Sequence, residues 1–511
     1  MRLANVTGPR LAIGPIPTFY TRLKSGKSCF CSRTVRDLID MEDFFAITDL
    51  ALQDGAPTGR FNVSTGTGHT IREIFDLVAD HLGLDANQDV PEVDPGPDDV
   101  AKMVLDPSET EAAFDWRPRY SFEETIRRML VWYDIYGVTT IYSHVRRPDA
   151  VAQGDSPAMT DSFEGANIAV VGGAGFVGSN LVKAILDQQP RRLTIVDNFL
   201  SADPVNVPDY PAVKLVASSV TDERVLRGLD DDLDYVFHLA CYHGNQSSIA
   251  DPIADHDNNT LTSLKLFERL KEIKTLRKVV YAAAGCAVAE KTFDGATATT
   301  EDAPVSLYHD SPYSISKLVG EMYGNYYWAR YGLPFVKARF QNVYGPGEIL
   351  GAGRWRGTPH TVWRNVTPTF IWRSLYGEAL PVENGGIASR DFIFVEDMAR
   401  GLMACALKGG PGEIYNLGSG VETTVRELAE RINRLTGNQT PIALTPARDW
   451  DRSGQRFANT TKALEKLGFE AQVDHETGIA RTVEWTRANK ADIIRCMKQH
   501  RHFGPEVMKY G

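Results

Sequence analysis

Tyr313 and Lys317 stand four residues apart in Ser311-Pro-Tyr-Ser-Ile-Ser-Lys317, at the start of a helical run. That spacing puts both side chains on one helix face. An ammonium beside a phenol favours the phenolate and lowers the tyrosine pKa. Such a tyrosine takes a hydroxyl proton while hydride leaves for a nicotinamide. Alone the pattern is weak, because any long helix can offer it. Its weight comes from a second signal upstream, Gly172-Gly-Ala-Gly175-Phe-Val-Gly178. The apolar run 167–171 precedes these glycines as a buried strand would, and helical spacing from Ser179 follows. Gly172 permits a tight turn, Gly175 lets the backbone approach a pyrophosphate, and Gly178 lets helix and strand pack closely. The helix N-terminus offers free N–H groups to the anion.

A second strand, Leu193-Thr-Ile-Val-Asp197, ends in an acid 25 residues after Gly172. The usual spacing to an acid that binds the adenosine ribose is about 20. A carboxylate there repels a 2′-phosphate, so NAD is expected rather than NADP. The plainer alternative is that Asp197 only caps the following turn. A third apolar strand runs through Tyr235-Val-Phe-His-Leu-Ala240, and in an open parallel sheet the ligand crevice lies at strand C-terminal ends. Leu239, Ala240 and Tyr242 are therefore expected near the cofactor.

The elements that must position these residues occur one and a half times. Arg2-Leu-Ala-Asn5-Val-Thr-Gly8-Pro9 returns as Arg339-Phe-Gln-Asn342-Val-Tyr-Gly345-Pro346, an offset of 337. Arg36-Asp37 with Glu42-Asp43 returns as Arg390-Asp391 with Glu396-Asp397, and Phe61-Asn62 as Tyr415-Asn416, both at 354. The second copy thus carries 17 extra residues, within GEILGAGRWRGTPHTVWRN between Gly347 and Phe370. Residues 1–143 copy the back half of a unit that spans 164–490, NAD-binding mainly over 164–337 and substrate-binding mainly over 338–490. The stretch 144–163, rich in Pro, Asp, Ser, Gly and Ala, reads as a flexible linker. Residues 491–511 are expected to be a C-terminal tail.

These motifs resemble those of the extended short-chain dehydrogenase/reductase family, the NAD-dependent nucleotide-sugar epimerases and dehydratases. The residues that carry the likeness are GGAGFVG (172–178), HLA (238–240), Asn259 in NNTLTSLKLFE, SPYSISK (311–317), RFQNVYGP (339–346), RDFIFVED (390–397) and YNLGSG (415–420). The resemblance implies an α/β Rossmann fold, a doubly wound parallel sheet with a smaller C-terminal substrate domain, preceded here by an orphan copy of that fold's back half. It implies Tyr313 as acid/base, with Lys317 as its partner and a nicotinamide-ribose ligand. It implies a cofactor site that draws Phe176, Val177, Asn198, Asn259 and Phe340 to the glycines and Asp197. Asn342 would touch the sugar diphosphate and Arg390 a phosphate or the nucleoside. A homodimer through front-half helices is implied too, and the flavour is that of lipopolysaccharide O-antigen clusters.

One position departs from the family. Where a Ser or Thr usually hydrogen-bonds the reacting hydroxyl, this chain has Ala284, followed by Gly285 and Cys286. A methyl donates nothing, and a thiol is a weak donor, so Cys286 is a candidate substitute beside a water or a substrate group. The family's dehydratases place Asp-Glu and its decarboxylases a Glu in that stretch. Their absence favours epimerisation of a nucleoside diphosphate sugar, with a UDP sugar expected. A dehydratase or simple dehydrogenase is the first rival, and a catalytically silent NAD-binding scaffold the second. Arg354 and Arg356, flanking Trp355, could hold a charged or amidated sugar; the alternative is a solvated loop.

Residues 1–143 lack the glycine loop, the tyrosine and the lysine. An upstream front half lost from the sequence, a separate polypeptide that supplies it, and a binding or oligomerisation appendage are three accounts of this portion. Composition bounds the rest. The 511 residues carry a net charge of −11, a poor match for nucleic acid phosphates. No apolar run is long enough to span a membrane. Six cysteines without CxxC spacing or His/Cys clusters suit reduced thiols, no metal site and a cytoplasmic location.

Overall fold

The computed structural model describes residues 1–138 and 162–510, apart from 10, 12, 85–89, 97, 98, 137, 289–291, 294 and 448–453. Most of the expected linker, 144–161, lies outside the described residues. The chain divides into two compact units, 1–152 and 153–511.

The second unit is built on strands β1 (Asn167–Val171), β2 (Arg192–Val196), β3 (Val213–Val216), β4 (Tyr235–His238), β5 (Lys278–Ala284), β6 (Phe335–Phe340), β7 (Asn342–Tyr344), β8 (Ser389–Phe394), β9 (Ile414–Leu417) and β10 (Glu422–Thr424). Seven of them form one parallel sheet in the order β3-β2-β1-β4-β5-β6-β9. Reversal of the order beside β1 opens the ligand crevice of a doubly wound fold. Its strands read as continuous apolar runs because both faces are covered. Ile168 and Val170 of β1 join Leu181, Val182 and Ile185 of α1 (Phe176–Leu186) in one core. Ala169 and Val171 face the opposite core, with Leu266, Phe267 and Leu270 of α2 (Thr262–Leu270). Phe163 is also fully buried in the first core, edge-on to Tyr235 at 5.0 Å, so the packed unit takes in a residue that the sequence suggested was linker.

Helix α3 (Pro312–Tyr331) carries the Tyr–Lys pair. Ser311 caps it by accepting from the Ser314 N–H, and Pro312 fits its first turn. It lies hard against the sheet: a Cβ at Gly320 would come within 2.0 Å of the Tyr281 hydroxyl, and one at Gly324 within 1.8 Å of the Phe335 ring. A buried ion pair pins it further, Glu321 of α3 receiving bonds of 3.0 and 2.9 Å from Arg339 of β6. Both partners are about 95% hidden from solvent, where loss of one leaves an uncompensated charge.

The substrate part sits beyond β6. Strands β7, β8 and β10 form a small sheet over α4 (Val366–Leu375) and α5 (Val395–Lys408), and the chain then returns α5 and β9 to the large sheet. Residues 491–510, expected as a tail, are folded. Helix α6 (Lys490–Lys498) buries Ile493, Cys496 and Met497 against Leu350 and Trp372. Gln499 Nε2 donates to the Gly351 and Gly353 carbonyls, and Arg495 grips Asp203 at 3.0 and 2.9 Å.

The first unit repeats this back half in detail. Asn5–Thr7 pairs in parallel with Leu38–Asp40, as β7 does with β8. Asp37 accepts from the Thr65 and Gly66 N–H groups and the Thr65 hydroxyl; Asp391 accepts the same three bonds from Ser419 and Gly420. Thr70 with Glu73 and Thr424 with Glu427 form matching capping boxes. One difference is large. Strand β6 pairs on both edges, whereas its counterpart Arg2–Leu3 pairs only with Asn62–Val63 among the described residues.

Candidate active site

The C-terminal ends of β1, β2, β4 and β5 open into a cleft of about 410 Å³, closed on the other side by the segment after β7. Gly172 has φ +88°, and a Cβ on it would lie 2.5 Å from the Ala240 nitrogen. A Cβ at Gly178 would lie 2.1 Å from the Gly172 carbonyl oxygen. No side chain caps α1 and no acid stands in its first turn, while Gly175, Phe176, Val177 and Gly178 line the cleft. This is a cradle in which only glycine lets an anion reach the backbone, and it fits the pyrophosphate of a dinucleotide.

Asp197 and Asn198 line the same end. Asp197 accepts from the Ala174 N–H at 3.0 Å and the Phe199 N–H at 2.9 Å, so it both ties the glycine loop to β2 and caps its own turn. Burial pushes its carboxyl above the usual range against those bonds. Leu239, Ala240 and Phe340 complete the walls. Tyr242 and Asn259 do not line the cleft; they stand behind its wall. The Asn259 carbonyl accepts from the Tyr242 N–H at 2.7 Å and its amide donates to Asp255 and Ser316, which fixes the loop after β4.

Tyr313 and Lys317 face the cleft together, with Ala284, Cys286, Asn342 and Arg390. Their electrostatics differ from the expectation. Lys317 Nζ donates to the Ala282 carbonyl at 2.7 Å and lies 5.1 Å over the Tyr281 ring. Burial, reinforced by Cys241 and Cys286, drives the Tyr313 phenol well above its ordinary pKa. The lysine charge is spent partly on a carbonyl, so in the protein alone desolvation outweighs it. Cys286 Sγ lies 3.9 Å from the Ser314 hydroxyl, and Ala284 presents only its methyl.

The two arginines suggested for the sugar are placed otherwise. Arg354 is exposed, and Arg356 is buried with its guanidinium donating to the His243 carbonyl at 2.7 Å and lying 5.4 Å over the Tyr242 ring. Neither lines the cleft. The inserted stretch does reach it, through Glu348, Arg364 and Asn365, which sequence reasoning missed.

Comparison with known proteins matches this architecture to its relatives. The model of the NAD dependent epimerase/dehydratase family matches residues 168–418. The UDP-glucose 4-epimerase of Mycolicibacterium smegmatis is 32% identical over 323 residues, 62% of this chain and 97% of that protein. The chain belongs to the NAD dependent epimerase/dehydratase family. The Bordetella bronchiseptica enzyme WbmF, solved with NAD+ and UDP, is 56% identical with a TM-score of 0.61, covering 66% of this chain and 98% of that one. A dTDP-glucose 4,6-dehydratase of Streptomyces antibioticus is 28% identical over 344 residues, 64% of this chain and 93% of that protein. Residues 1–129 match the model of GDP-mannose 4,6 dehydratase, which supports the reading of the first unit as a partial second member.

Within the epimerase/dehydratase unit, Glu348 is the most perturbed acid of the cleft. It is about nine-tenths buried, and one of its oxygens has no hydrogen-bond partner among the described residues. Burial pushes its carboxyl up to about 7, against a bond from Asn365 and the charge of Arg364. An acid raised on folding favours the folded state while protonated, so its stability contribution falls as pH rises from its ordinary 4.5 through about 7. Glu348→Gln stays neutral throughout. It is expected to raise stability at about pH 8 by on the order of 3 kcal/mol, and with it the unfolding midpoint, and to leave both nearly unchanged at about pH 4. Thermal melts at the two pH values check this; an equal shift at both would contradict it.

Proposed function

We propose that the second unit epimerises a nucleoside diphosphate sugar, UDP-linked, at one ring carbon by transient oxidation. The observation that carries this reading is the end of β5. Beside Tyr313 it presents Ala284 and Cys286, and among the described residues of that loop no carboxylate lines the cleft to drive β-elimination. The cradle at Gly172–Gly178 would hold the pyrophosphate of NAD, Asp197 the adenosine ribose, and Lys317 the nicotinamide ribose. When bound, NAD supplies the hydride acceptor and a positive ring that favours the Tyr313 phenolate.

Tyr313 then receives the hydroxyl proton and returns it after the other face is presented. Asn342 and Arg390 both line the cleft; Asn342 would touch the sugar diphosphate and Arg390 a phosphate or the nucleoside. Arg390 is fixed by donating to the Ser389 and Gly454 carbonyls at 2.6 and 2.5 Å. A surface polysaccharide is the destination that the resemblance implies for the product.

A second reading, dehydration, draws on Glu348, a protonatable carboxyl on the cleft wall. NMR of products from a panel of UDP-hexoses, UDP-uronic acids and N-acetylated forms separates the two. A new epimer supports the first, a 4-keto-6-deoxy sugar the second, and no turnover with NAD bound the silent scaffold.

The same unit offers a dimer surface. Ile315, Met322 and Tyr326 recur on one face of α3 and are 49%, 55% and 52% exposed. An apolar stripe of this size is suited to an isologous pairing of α3 with its copy. Met322→Lys is expected to convert a dimer to a monomer with little loss of thermal stability, as read by light scattering. A monomeric parent protein would overturn this.

A further inference from the structure

Ala284 gives the end of β5 only a methyl, yet a neutral histidine stands on another side of Tyr313. His243 follows β4, lines the cleft, and sets its ring edge-on to Tyr313, centroids 5.8 Å apart at 86°. Its Nε2 lies 3.1 Å from Asn365 Oδ1, and the Asn365 amide nitrogen donates to Glu348. The Asn365 amide turns its nitrogen to Glu348 and its oxygen to His243, and an amide oxygen only accepts. The histidine proton is thereby fixed on Nε2. Its Nδ1 keeps a bare lone pair and makes no hydrogen bond to the described residues. Burial, with Arg356 and Arg364 nearby, holds the imidazolium pKa down to about 4. The ring is therefore an acceptor at neutral pH. Four residues distant in sequence, Tyr313, His243, Asn365 and Glu348, thus form one contiguous wall.

The geometry points to His243 as a substrate contact, whose Nδ1 accepts a hydrogen bond from an O–H or N–H donor on the sugar carbon next to the one that Tyr313 oxidises. This rests on the epimerase reading and adds to it a requirement: the neighbouring substituent must be a donor. Asn365 and Glu348 are positioning residues, acting through the tautomer of His243. A lone acceptor cannot share the single proton of the reacting hydroxyl with Tyr313, which is why the contact falls to the adjacent group.

The test uses the full chain with NAD and a set of UDP-sugars in which each ring hydroxyl is replaced in turn by fluorine, which accepts but does not donate. With the parent protein, one position adjacent to the oxidised carbon is expected to cost about tenfold or more in kcat/KM, the range for a buried acceptor left unpaired. In His243→Leu that penalty should shrink to about twofold, while the other positions keep theirs. His243→Gln, whose carbonyl still accepts, should retain part of it. Separately, long-range proton–nitrogen NMR of the parent should show His243 as the neutral Nε2–H tautomer, with Glu348→Gln admitting the other form. Equal penalties in parent and His243→Leu, or a proton on Nδ1 of the parent, would overturn the assignment. Failure of the parent to turn over any UDP-sugar would instead sink the epimerase reading.

Discussion

Tyr313→Phe is expected to lower kcat by a factor of about 100 to 10,000, the range for removal of a positioned acid/base. The phenylalanine ring fills the same space against His243, and the Tyr313 backbone N–H still donates to Ser248 at 3.1 Å. Helix α3 and the cofactor cradle should therefore stand, so NAD content and the thermal midpoint should match the parent within error. Only the proton acceptor is lost. Because burial holds the phenol well above its ordinary value, the parent should also show a rate that climbs with pH on the acid-to-phenolate limb. Binding of NAD should move that limb to lower pH, since a cation beside the phenol favours its ionised form. Retention of more than about a tenth of parental kcat by the variant would remove Tyr313 from the mechanism.

Gly178→Ala should abolish cofactor binding by steric means alone. The added methyl would lie 2.1 Å from the Gly172 carbonyl oxygen and 2.8 Å from Gly173 Cα, both backbone atoms that no rotamer change can move. Relief requires α1 to withdraw from the loop, which carries its N-terminal N–H groups away from the pyrophosphate. Gly175→Ala is the internal control. Within the protein its methyl meets one atom, the Gly172 oxygen at 3.3 Å, so its loss of affinity comes from a methyl between backbone and pyrophosphate, with α1 left in place. The expected order of NAD affinity is parent, then Gly175→Ala, then Gly178→Ala, measured by titration, with circular dichroism to show that the fold survives. Equal affinities for Gly178→Ala and parent would mean that the pyrophosphate does not sit on this loop.

The parts of this site that sequence reveals are those held by local geometry. A glycine loop, an acid at the end of the next strand and a Tyr–Lys pair one helical turn apart are each short patterns whose chemistry depends on spacing. The repeat exposed the back half in the same way, because Asp37 and Asp391 each make their three bonds within about 30 residues. What stayed hidden depends on tertiary approach. His243, Glu348 and Asn365 meet across 122 residues, and none carries a motif. Arg354 and Arg356 attracted attention through Trp355, yet that ring stacks on Phe503 at 4.8 Å rather than on a ligand. The polar cluster at the other end of the insertion, Arg364-Asn365 after Trp363, had an equal claim on composition. The pK of Tyr313 was also out of reach, because burial is a property of the fold. The C-terminal helix was read as a tail, although Ile493, Cys496 and Met497 recur at helical spacing and mark its buried face.

Strand β9 joins the large sheet only after the whole segment from β7 to α5 has been made. During synthesis the outer edge of β6 is therefore left open while residues 341–413 are still emerging. Open edges recruit any strand of matching pattern. The first unit carries such a strand ahead of it in synthesis, Asn62–Val63, the counterpart of β9 at an offset of 354 and already docked on Arg2–Leu3. With one edge of Asn62–Val63 held by Arg2–Leu3, that strand has one edge fewer to offer a nascent β6.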